Sequence, residues 1–291
     1  MKVLVTGAGG QLGQTLLRTV PADMMCMGCT SSDLDISGPH LLEQIGDHGA
    51  QLVINAAAYT AVDQAETPEG RARAFAVNAT GAGALAAACK STGARLMHVS
   101  TDFVFDGEAG RPYKTDATPQ PLGAYGLSKH EGERLALQAL PEALIVRTAW
   151  VYSPYGNNFM KTMLRLMRER DALNVVCDQV GTPTATSTLA AVLWSFARRP
   201  ALTGIYHYTD AGVASWYDFA VAIQEEALAR GLLAKAIPIR PIPSKDYPLP
   251  AARPAFSVLD KSATYRDLEI IPTHWRSVLR DVLQELHGQQ G

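Results

Sequence analysis

A glycine-rich turn near the amino terminus constrains the fold of this chain more than any other sequence feature. An apolar run at 3–5 leads into TGAGGQLG at 6–13, and the following residues, QTLLRTV, have the pattern of a helix. In such a strand–turn–helix unit, Gly7 permits the tight turn, Gly10 lets a pyrophosphate approach the backbone, and Gly13 lets the helix pack on the strand. The free N–H groups at the start of the helix attract an anion. The sequence therefore predicts a dinucleotide site at this turn.

Short apolar runs alternate with longer helix-patterned stretches through the first half of the chain. Because these runs are apolar throughout, we expect each strand to be covered by helices on both faces, as in a parallel sheet. The predicted fold class is α/β, a doubly wound parallel sheet of the Rossmann type with a smaller C-terminal substrate-binding lobe. The predicted strands are residues 3–5, 24–29, 52–55, 95–100 and 144–147.

The character of the sequence changes after about residue 150, where prolines divide the chain into shorter pieces. We expect residues 1–150 to form the dinucleotide-binding domain. Residues 151–291 should form mainly the substrate-binding lobe, with part of it, about 172–200, returning to the first domain. The stretch 237–254 is expected to be an ordered loop over a pocket, with a linker as the alternative. Helices are predicted over 72–90 and, at the end of the chain, over 281–287.

The charge of the chain argues against nucleic-acid and membrane partners. With 26 Lys and Arg against 28 Asp and Glu, the formal net charge is -2, so no broad basic field exists to bind a phosphodiester backbone or an anionic bilayer. The first apolar run ends at the glycine cluster, far short of a signal peptide or a membrane span. The 4 cysteines are too few for a disulfide framework, so a cytoplasmic location is expected.

A tyrosine and a lysine at helical spacing form the second chemical signal. Tyr125 and Lys129 belong to a YGLSK segment, and residues i and i+4 share one face of a helix, so both groups can point into one cleft. Because a nearby ammonium stabilises phenolate, we expect the pKa of Tyr125 to fall from about 10 toward neutrality. Upstream, the strand 95–100 leads into Ser100 and Thr101, which places hydroxyl groups at the carboxyl end of a strand. Together with the glycine turn, these residues indicate an acid–base site beside a bound nucleotide.

The end of the second predicted strand bears on the choice between NADPH and NADH. An acidic residue at this place would bind the adenosine ribose and disfavour a 2′-phosphate. The chain has Cys29, Thr30 and Ser31 here, with Asp33 and Asp35 only farther on, and no arginine that would select the phosphate. We therefore expect either NADPH or NADH to be used, with a preference for NADPH.

The order and spacing of these motifs resemble the extended short-chain dehydrogenase/reductase superfamily, with TGxxGxxG at 6–13, a central hydroxyl residue and YxxxK at 125–129. Further blocks, which span residues 3–260, are similar to the dTDP-4-dehydrorhamnose reductase family. They are NAAAYTAVD at 55–63 followed by Ala65 and Glu66, STDFVFDG at 100–107, RTAWVY at 147–152, GNNF at 156–159, DQVGTPT at 178–184 and RP at 253–254.

The resemblance implies roles for individual residues. Tyr125 would donate a proton, Lys129 would hold the nicotinamide ribose and tune Tyr125, and Thr101 would polarise the substrate carbonyl, with Ser100 as the rival hydroxyl. Besides Tyr125 and Lys129, the residues that fall where the family lines the cofactor are Gly7, Gly10, Gln11, Leu12, Gly13, Asp35, Ile36, Ala58, Tyr59, Thr60 and Val99.

On the sugar-nucleotide side the resemblance places Thr101, Asp102, Trp150, Asn158 and Arg253. A guanidinium at position 253 would clasp the diphosphate of the substrate through charge-assisted hydrogen bonds, with an ordinary surface arginine as the alternative. Trp150 fits core packing equally well, because a buried indole serves either purpose.

The activity implied by the resemblance is NAD(P)H-dependent reduction of the C4 keto group of dTDP-4-dehydro-β-L-rhamnose to dTDP-L-rhamnose, the last step of dTDP-rhamnose synthesis. An NAD(P)-dependent sugar-nucleotide epimerase or dehydratase is one alternative. It needs an extra acid–base pair, whereas Asp102 is followed by Phe103 rather than by a second carboxylate. A non-catalytic NADP-binding regulatory subunit is another alternative, since such a protein can retain the YxxxK pair.

No metal site is predicted. The resemblance implies a divalent metal at a dimer contact in some family members, held by acidic side chains that include one just after the glycine turn. Here that place carries Gln14 and Thr15, which makes Mg²⁺ doubtful and leaves a homodimer open. Cys26 and Cys29 have metal-ligand spacing, but no second pair completes a tetrahedral site, so packing is the favoured interpretation.

Overall fold

A computed structural model describes residues 1–289 of the chain. The strands are β1 (Lys2–Thr6), β2 (Met25–Cys29), β3 (Leu52–Asn55), β4 (Arg95–Thr101), β5 (Leu144–Thr148), β6 (Val151–Tyr152), β7 (Leu173–Val176), β8 (Val180–Gly181), β9 (Thr184–Ala185), β10 (Gly204–His207), β11 (Ala214–Ser215) and β12 (Ile239–Ile242). The helices are α1 (Gln11–Arg18), α2 (Leu41–His48), α3 (Pro68–Ala74), α4 (Ala82–Thr92), α5 (Ala124–Ala139), α6 (Phe159–Glu169), α7 (Thr186–Ala197), α8 (Trp216–Ala229), α9 (Ser262–Leu268) and α10 (Trp275–Gly288). Short 3-10 turns occur at Gln64–Glu66, Asp102–Val104 and Ser244–Asp246.

A parallel sheet of six strands forms the centre of the fold, in the order β10-β5-β4-β3-β1-β2. Each apolar run predicted to be a strand is a strand of this sheet, so the predicted doubly wound parallel sheet is confirmed. The chain order reverses at β1, because β2 lies on one side of it and β3 on the other. In open sheets of this kind ligands bind in the crevice outside the carboxyl ends of the strands at the reversal.

Helices cover both faces of the central sheet. On one face α1 and α7 enclose a core that includes Leu16, Leu189 and Phe196. On the other face α2 and α4 enclose a core that includes Ile45 and Leu85. Every residue of β3 is buried, which explains why this strand is apolar until its last position.

A separate hydrophobic core lies in the carboxyl-terminal half, among α6, α8 and α10. Within the range 172–200, β7 pairs with β12 in a two-stranded sheet of its own, whereas α7 packs against α1 on the central sheet. The strand β10, which follows this range, forms an edge of the central sheet. The proposed division of the chain into two domains at residue 150 stays a prediction.

The helix predicted over 72–90 is interrupted, so this prediction is wrong in detail. Between α3 and α4 the chain is wound as a π-helix at Phe75–Gly81. Within this segment the Asn78 side chain accepts a hydrogen bond from the Tyr59 N–H (2.8 Å) and donates to the Tyr59 carbonyl (3.0 Å) and the Ser128 hydroxyl (3.0 Å). Segments of this kind are frequent at functional sites. Here the segment joins the loop of Tyr59 to α5.

The stretch 237–254 is ordered, as expected, and contains a strand and a 3-10 turn. Pro241 is tolerated in β12 because this strand pairs on one side with β7 and leaves its other edge open. The last helix is longer than the predicted 281–287, since α10 begins at Trp275, where the His274 side chain accepts a hydrogen bond from the Arg276 N–H. Within residues 1–289, no helix combines the length and apolar character needed to cross a bilayer.

Candidate active site

The glycine turn leaves room for a ligand above the amino end of α1. Gly7 has a φ of 70°, and a Cβ atom at this position would lie 2.6 Å from the Ala57 nitrogen. The residue before α1, Gly10, has an extended conformation, and no side chain among residues 1–289 caps the helix. The first N–H groups of α1 are therefore open to an anion, and the backbone beside them carries no side chain that would block its approach.

A cavity of about 330 Å³ lies between this turn and the ends of β2 and β3. Of the residues predicted to line the cofactor, it is lined by Gly7, Gly10, Asp35, Ile36, Ala58 and Tyr59. Thr30 and Ser31 also line it, in the place where an acidic residue would bind a ribose. Val77 contributes from the π-helical segment, and no local signal in the sequence predicts this contact.

A larger cleft of about 780 Å³ continues from the turn toward the carboxyl-terminal half. It brings together the other predicted site residues, namely Gln11, Leu12, Thr60, Val99, Thr101, Asp102, Tyr125, Lys129, Trp150, Asn158 and Arg253. Gly13 lines neither cavity. A side chain at Gly13 would overlap the backbone of Gly7 and Ala8, so this glycine allows α1 to pack against the turn.

Lys129 lies inside α5, one helical turn after Tyr125, with its side chain buried. Its Nζ donates a hydrogen bond to the Val99 carbonyl at 2.7 Å and lies 3.2 Å from His98 Nε2. Burial lowers the pKa of Lys129 to about 8, so little free energy separates its charged and uncharged forms near neutral pH. The sequence motif does not predict the contact with His98, because His98 belongs to a different element.

The phenol of Tyr125 faces the same cleft and packs edge-on against Phe103, with ring centroids 5.5 Å apart. Desolvation raises the pKa of Tyr125 to about 12, and the Thr101 hydroxyl offsets this rise only in part. The predicted fall in this pKa is therefore wrong for the protein alone. The physical reason is that Lys129 is desolvated itself and bonds to Val99 rather than to the phenol.

Two hydroxyl groups at the end of β4 line the cleft beside a buried carboxyl group. Thr101 Oγ1 donates a hydrogen bond to Asp102 Oδ1 at 3.0 Å and accepts one from the Phe103 N–H at 3.2 Å. Burial raises the pKa of Asp102 to about 6. Ser100 Oγ is also buried, and it has no hydrogen-bond partner within residues 1–289. The structure thus places both candidate hydroxyls, Thr101 and Ser100, at the same cleft.

Trp150 has a strained backbone and stacks on a second tryptophan. Its φ of 48° is unusual for a residue other than glycine and costs on the order of 1–3 kcal/mol. The ring lies parallel to that of Trp216, with centroids 3.5 Å apart, and the absence of a side chain at Gly181 makes space for it. Trp216 and Phe159 also line the cleft, and the sequence motifs predict neither.

Asn158 connects the glycine turn with the carboxyl-terminal half. Its side chain caps α6 by accepting a hydrogen bond from the Lys161 N–H at 3.1 Å. Its amide nitrogen donates to Gln11 Oε1 at 2.9 Å and to the Ser153 carbonyl at 2.8 Å. Arg253 also lines the cleft, and its guanidinium holds the pKa of Asp63 below its ordinary value through a hydrogen-bonded ion pair.

The residues just after the glycine turn are engaged in protein contacts. The Thr15 hydroxyl donates to Thr186 Oγ1 at 2.7 Å, and Gln14 Nε2 donates to the Gly9 carbonyl at 2.9 Å. Cys26 and Cys29 are free thiols in β2. Among the described residues 1–289, no cluster of three or more His, Cys, Asp or Glu side chains has an arrangement that could hold a metal ion.

Known proteins resemble this chain over nearly its whole length. A dTDP-4-dehydrorhamnose reductase of Aggregatibacter actinomycetemcomitans is 42% identical over 289 residues, which cover 97% of this chain and 98% of the relative. The crystal structure of a dTDP-4-dehydrorhamnose reductase from Clostridium acetobutylicum superposes with a TM-score of 0.91 at 38% identity and covers 98% of this chain and 99% of its own. The reductase of the same name from Bacillus anthracis, solved in complex with NADP, has a TM-score of 0.90 at 33% identity, again with 98% and 99% coverage.

The family model described as the RmlD substrate binding domain matches residues 1–287. This match agrees with the similarity of the curated relative, which extends over both halves of the chain and both cavities. The chain therefore belongs to the RmlD substrate binding domain family.

Proposed function

We propose that this protein reduces the C4 keto group of dTDP-4-dehydro-β-L-rhamnose to dTDP-L-rhamnose with NADPH or NADH. The observation that carries the proposal is the meeting of Thr101, Tyr125 and Lys129 in one cleft that continues from the glycine turn. These groups derive from β4 and α5 and lie at the carboxyl edge of the central sheet, where this fold binds its ligands. The name of the relatives supports the choice of substrate.

The residues around the glycine turn fit a nicotinamide dinucleotide. The open N–H groups of α1 suit a pyrophosphate, and the cavity beside Thr30 and Ser31 suits an adenosine. When bound, the reduced nicotinamide supplies the hydride for the reaction. The buried amine of Lys129 would hold the adjoining ribose through hydrogen bonds.

Charge develops on the keto oxygen as the carbonyl is reduced, and two side chains are arranged to meet it. The Tyr125 hydroxyl would donate its proton to this oxygen, because a phenol remains a stronger acid than the alcohol that forms. The Thr101 hydroxyl would stabilise the same oxygen by hydrogen bonding. In the protein alone the Thr101 hydroxyl donates its hydrogen to Asp102 Oδ1, so this hydrogen would have to turn from Asp102 to the keto oxygen when the substrate binds.

On the substrate side, Asp102, Trp150, Asn158 and Arg253 would contact the sugar nucleotide. Their positions along one cleft support this assignment. We further propose that Mg²⁺ is not required, since Gln14 and Thr15 offer no carboxylate after the turn, and that dialysis against EDTA leaves kcat/KM unchanged. We also propose that the protein acts in the cytoplasm, as a homodimer or a monomer.

The preference for NADPH is also proposed here. Asp33, the first acidic side chain after β2, accepts hydrogen bonds from the N–H and the hydroxyl of Thr30, so its charge is held at its own loop. A 2′-phosphate beside this loop would meet the Ser31 hydroxyl as a donor, whereas the Thr30 hydroxyl already donates to Asp33. We expect kcat/KM for NADPH to exceed that for NADH. A preference of about a hundredfold for NADH would contradict this proposal, since it corresponds to about 2.7 kcal/mol.

The assay follows nicotinamide absorbance with dTDP-4-dehydro-β-L-rhamnose and NADPH, and identifies the sugar product. Stoichiometric formation of dTDP-L-rhamnose with release of NADP after each turnover supports the reductase. Redox-neutral conversion with a retained cofactor would instead identify an epimerase or dehydratase. Binding of NADP without turnover of any 4-keto sugar nucleotide would identify a regulatory subunit.

A further inference from the structure

The side chain of Asn55 fixes the orientation of a buried histidine behind Lys129. Asn55 Oδ1 accepts hydrogen bonds from Thr6 Oγ1 at 2.7 Å and from the Ala57 N–H at 3.1 Å. Because a backbone N–H only donates, this end of the amide is the oxygen. The other end, Nδ2, lies 2.9 Å from His98 Nδ1 and donates to it. His98 Nδ1 is therefore an acceptor without a proton.

The proton of neutral His98 is consequently on Nε2, the atom that lies 3.2 Å from Lys129 Nζ. An ammonium group has three donors and no acceptor, so it cannot accept a hydrogen bond from this N–H. An uncharged amine can accept it through its lone pair while donating to the Val99 carbonyl at 2.7 Å. The contact is thus a hydrogen bond when Lys129 is uncharged and a donor–donor clash when it is charged.

The charged groups near Lys129 are engaged elsewhere. Glu133, one turn further along α5, is bound by Arg147 of β5 through bonds of 2.8 and 2.7 Å. Glu133 still favours the charged form of Lys129 through its field, but burial outweighs it and lowers the pKa. The remaining titratable group of α5 toward the cleft is Tyr125, whose pKa is raised.

Of the other elements packed against α5, α4 contains no acidic residue, and the one acidic residue of α3, Glu69, is exposed. The π-helical segment presents the uncharged Asn78, which bonds to Ser128. The turn at Asp102–Val104 presents Asp102, whose Oδ1 accepts from Thr101 and whose Oδ2 has no hydrogen-bond partner within residues 1–289. From the turn at Gln64–Glu66, Glu66 accepts a hydrogen bond from the Ala124 N–H at the start of α5.

We propose that His98, oriented by Asn55, is a positioning residue that donates a hydrogen bond to the uncharged form of Lys129 and thereby favours this form relative to the ammonium before ligands bind. The effect on the site is to favour the protonated form of Tyr125, because an uncharged amine stabilises a phenolate less than an ammonium does. This deepens the proposed function, on which the kinetic part of the test rests, while the spectroscopic part does not depend on any activity.

The first test is the tautomer of His98 in the wild-type protein, read from two-bond ¹⁵N–¹H correlation spectra of ¹⁵N-histidine-labelled protein near neutral pH. His207 is an internal control, because its Nδ1 lies 3.1 Å from the Tyr113 carbonyl and must donate to it. The neutral ring of His207 therefore carries its proton on Nδ1 rather than on Nε2. We expect an Nε2–H imidazole at His98 and an Nδ1–H imidazole at His207, with His98→Asn identifying the resonance. An Nδ1–H imidazole or an imidazolium at His98 would overturn the proposal.

The second test is the pH dependence of kcat/KM, which reports ionisations of the free enzyme. His98→Asn keeps an acceptor for Asn55 but loses the contact with Lys129, and His98→Gln reaches Lys129 with a carbonyl that favours the ammonium. In both variants the apparent pKa of the ionisation near pH 8 should rise. The rise should be larger in His98→Gln, at about one pKa unit. A downward shift or none would contradict the proposal. If no 4-keto sugar nucleotide is reduced, the proposed function fails, whereas the tautomer still decides the role of His98.

Discussion

Arg253, which lines the cleft, forms a two-pronged ion pair with Asp63, although the two lie 190 positions apart in the chain. Arg253 Nη2 lies 2.8 Å from Asp63 Oδ2, and Nη1 lies 3.1 Å from Oδ1 and 2.9 Å from the Ala251 carbonyl. Asp63 also accepts a hydrogen bond from the Ala251 N–H at 3.2 Å. The loop that carries Arg253 is thereby tied to the loop that follows β3, and the guanidinium is held at the cleft before any diphosphate arrives.

Substitution of each member of this ion pair distinguishes two roles of Arg253, binding of the substrate and tethering of its own loop. If the guanidinium clasps the diphosphate, Arg253→Ala should raise KM for the sugar nucleotide roughly tenfold or more, since a hydrogen bond to a charged group contributes about 1.5–3 kcal/mol. Asp63→Asn removes the partner's charge but leaves the guanidinium, so its KM should stay near the wild-type value. Steady-state kinetics on both variants measure this. Equal increases would indicate that Arg253 only tethers the loop, and a rise of less than about twofold in Arg253→Ala would contradict the clasp.

Removal of the Tyr125 hydroxyl tests the proton donor. We expect Tyr125→Phe to bind NADPH almost as the wild type does and to lose at least about a hundredfold in kcat, the usual contribution of general acid catalysis. Tyr206→Phe is a matched control, because the Tyr206 hydroxyl donates to Asp267 at 2.9 Å outside the cleft. Stopped-flow binding and turnover assays give the two quantities. Wild-type turnover by Tyr125→Phe would exclude the phenol as the donor.

The two hydroxyls at the end of β4 are distinguished by single substitutions. Thr101→Val keeps the shape of the side chain and removes its hydroxyl, so kcat should fall by about 10²-fold, as for the loss of one donor to a developing oxyanion. Ser100→Ala should retain nearly wild-type kcat, because Thr101 is the hydroxyl beside Tyr125 and Asp102. The reverse order of the two kcat values would assign the role to Ser100.

The buried ion pair between Glu133 of α5 and Arg147 of β5 should contribute strongly to the free energy of unfolding. Burial works to raise the pKa of Glu133, but the hydrogen bonds from Arg147 hold it at about 2, below its ordinary value of 4.5. A depressed carboxyl pKa stabilises the folded state fully above pH 4.5, and this contribution is lost as the pH falls toward 2.

Glu133→Gln leaves the Arg147 charge uncompensated, so we expect the free energy of unfolding in urea at pH 7 to fall by about 3–5 kcal/mol. Glu131→Gln is the control, since Glu131 pairs with Arg134 at the surface and such a pair contributes about 0–1 kcal/mol. The difference in unfolding free energy between wild type and Glu133→Gln should shrink below pH 4.5. Equal stability of the two variants would show that the buried pair contributes nothing.

Much of the sheet and part of the site were predictable because the relevant patterns are local. The strand runs, the glycine turn and the Tyr125–Lys129 spacing depend on neighbours within one element, and the structure places each on the expected strand, turn or helix. The π-helical segment was not predictable, since Asn78 departs from the α-helix to bond with Tyr59 and Ser128, which come from distant segments. The same holds for Trp216, which comes from α8 and stacks on Trp150 at the cleft.

The sequence by itself determined the alternation of strands and helices, the anion-binding turn and the pairing of Tyr125 with Lys129, because periodicity and short motifs encode these features. Only the tertiary structure decided the protonation of those groups. Burial and partners from other strands reverse the expected change in the pKa of Tyr125 and set Lys129 against His98. Solvation and long-range hydrogen bonding depend on how distant segments pack, and no local pattern in the chain carries that information.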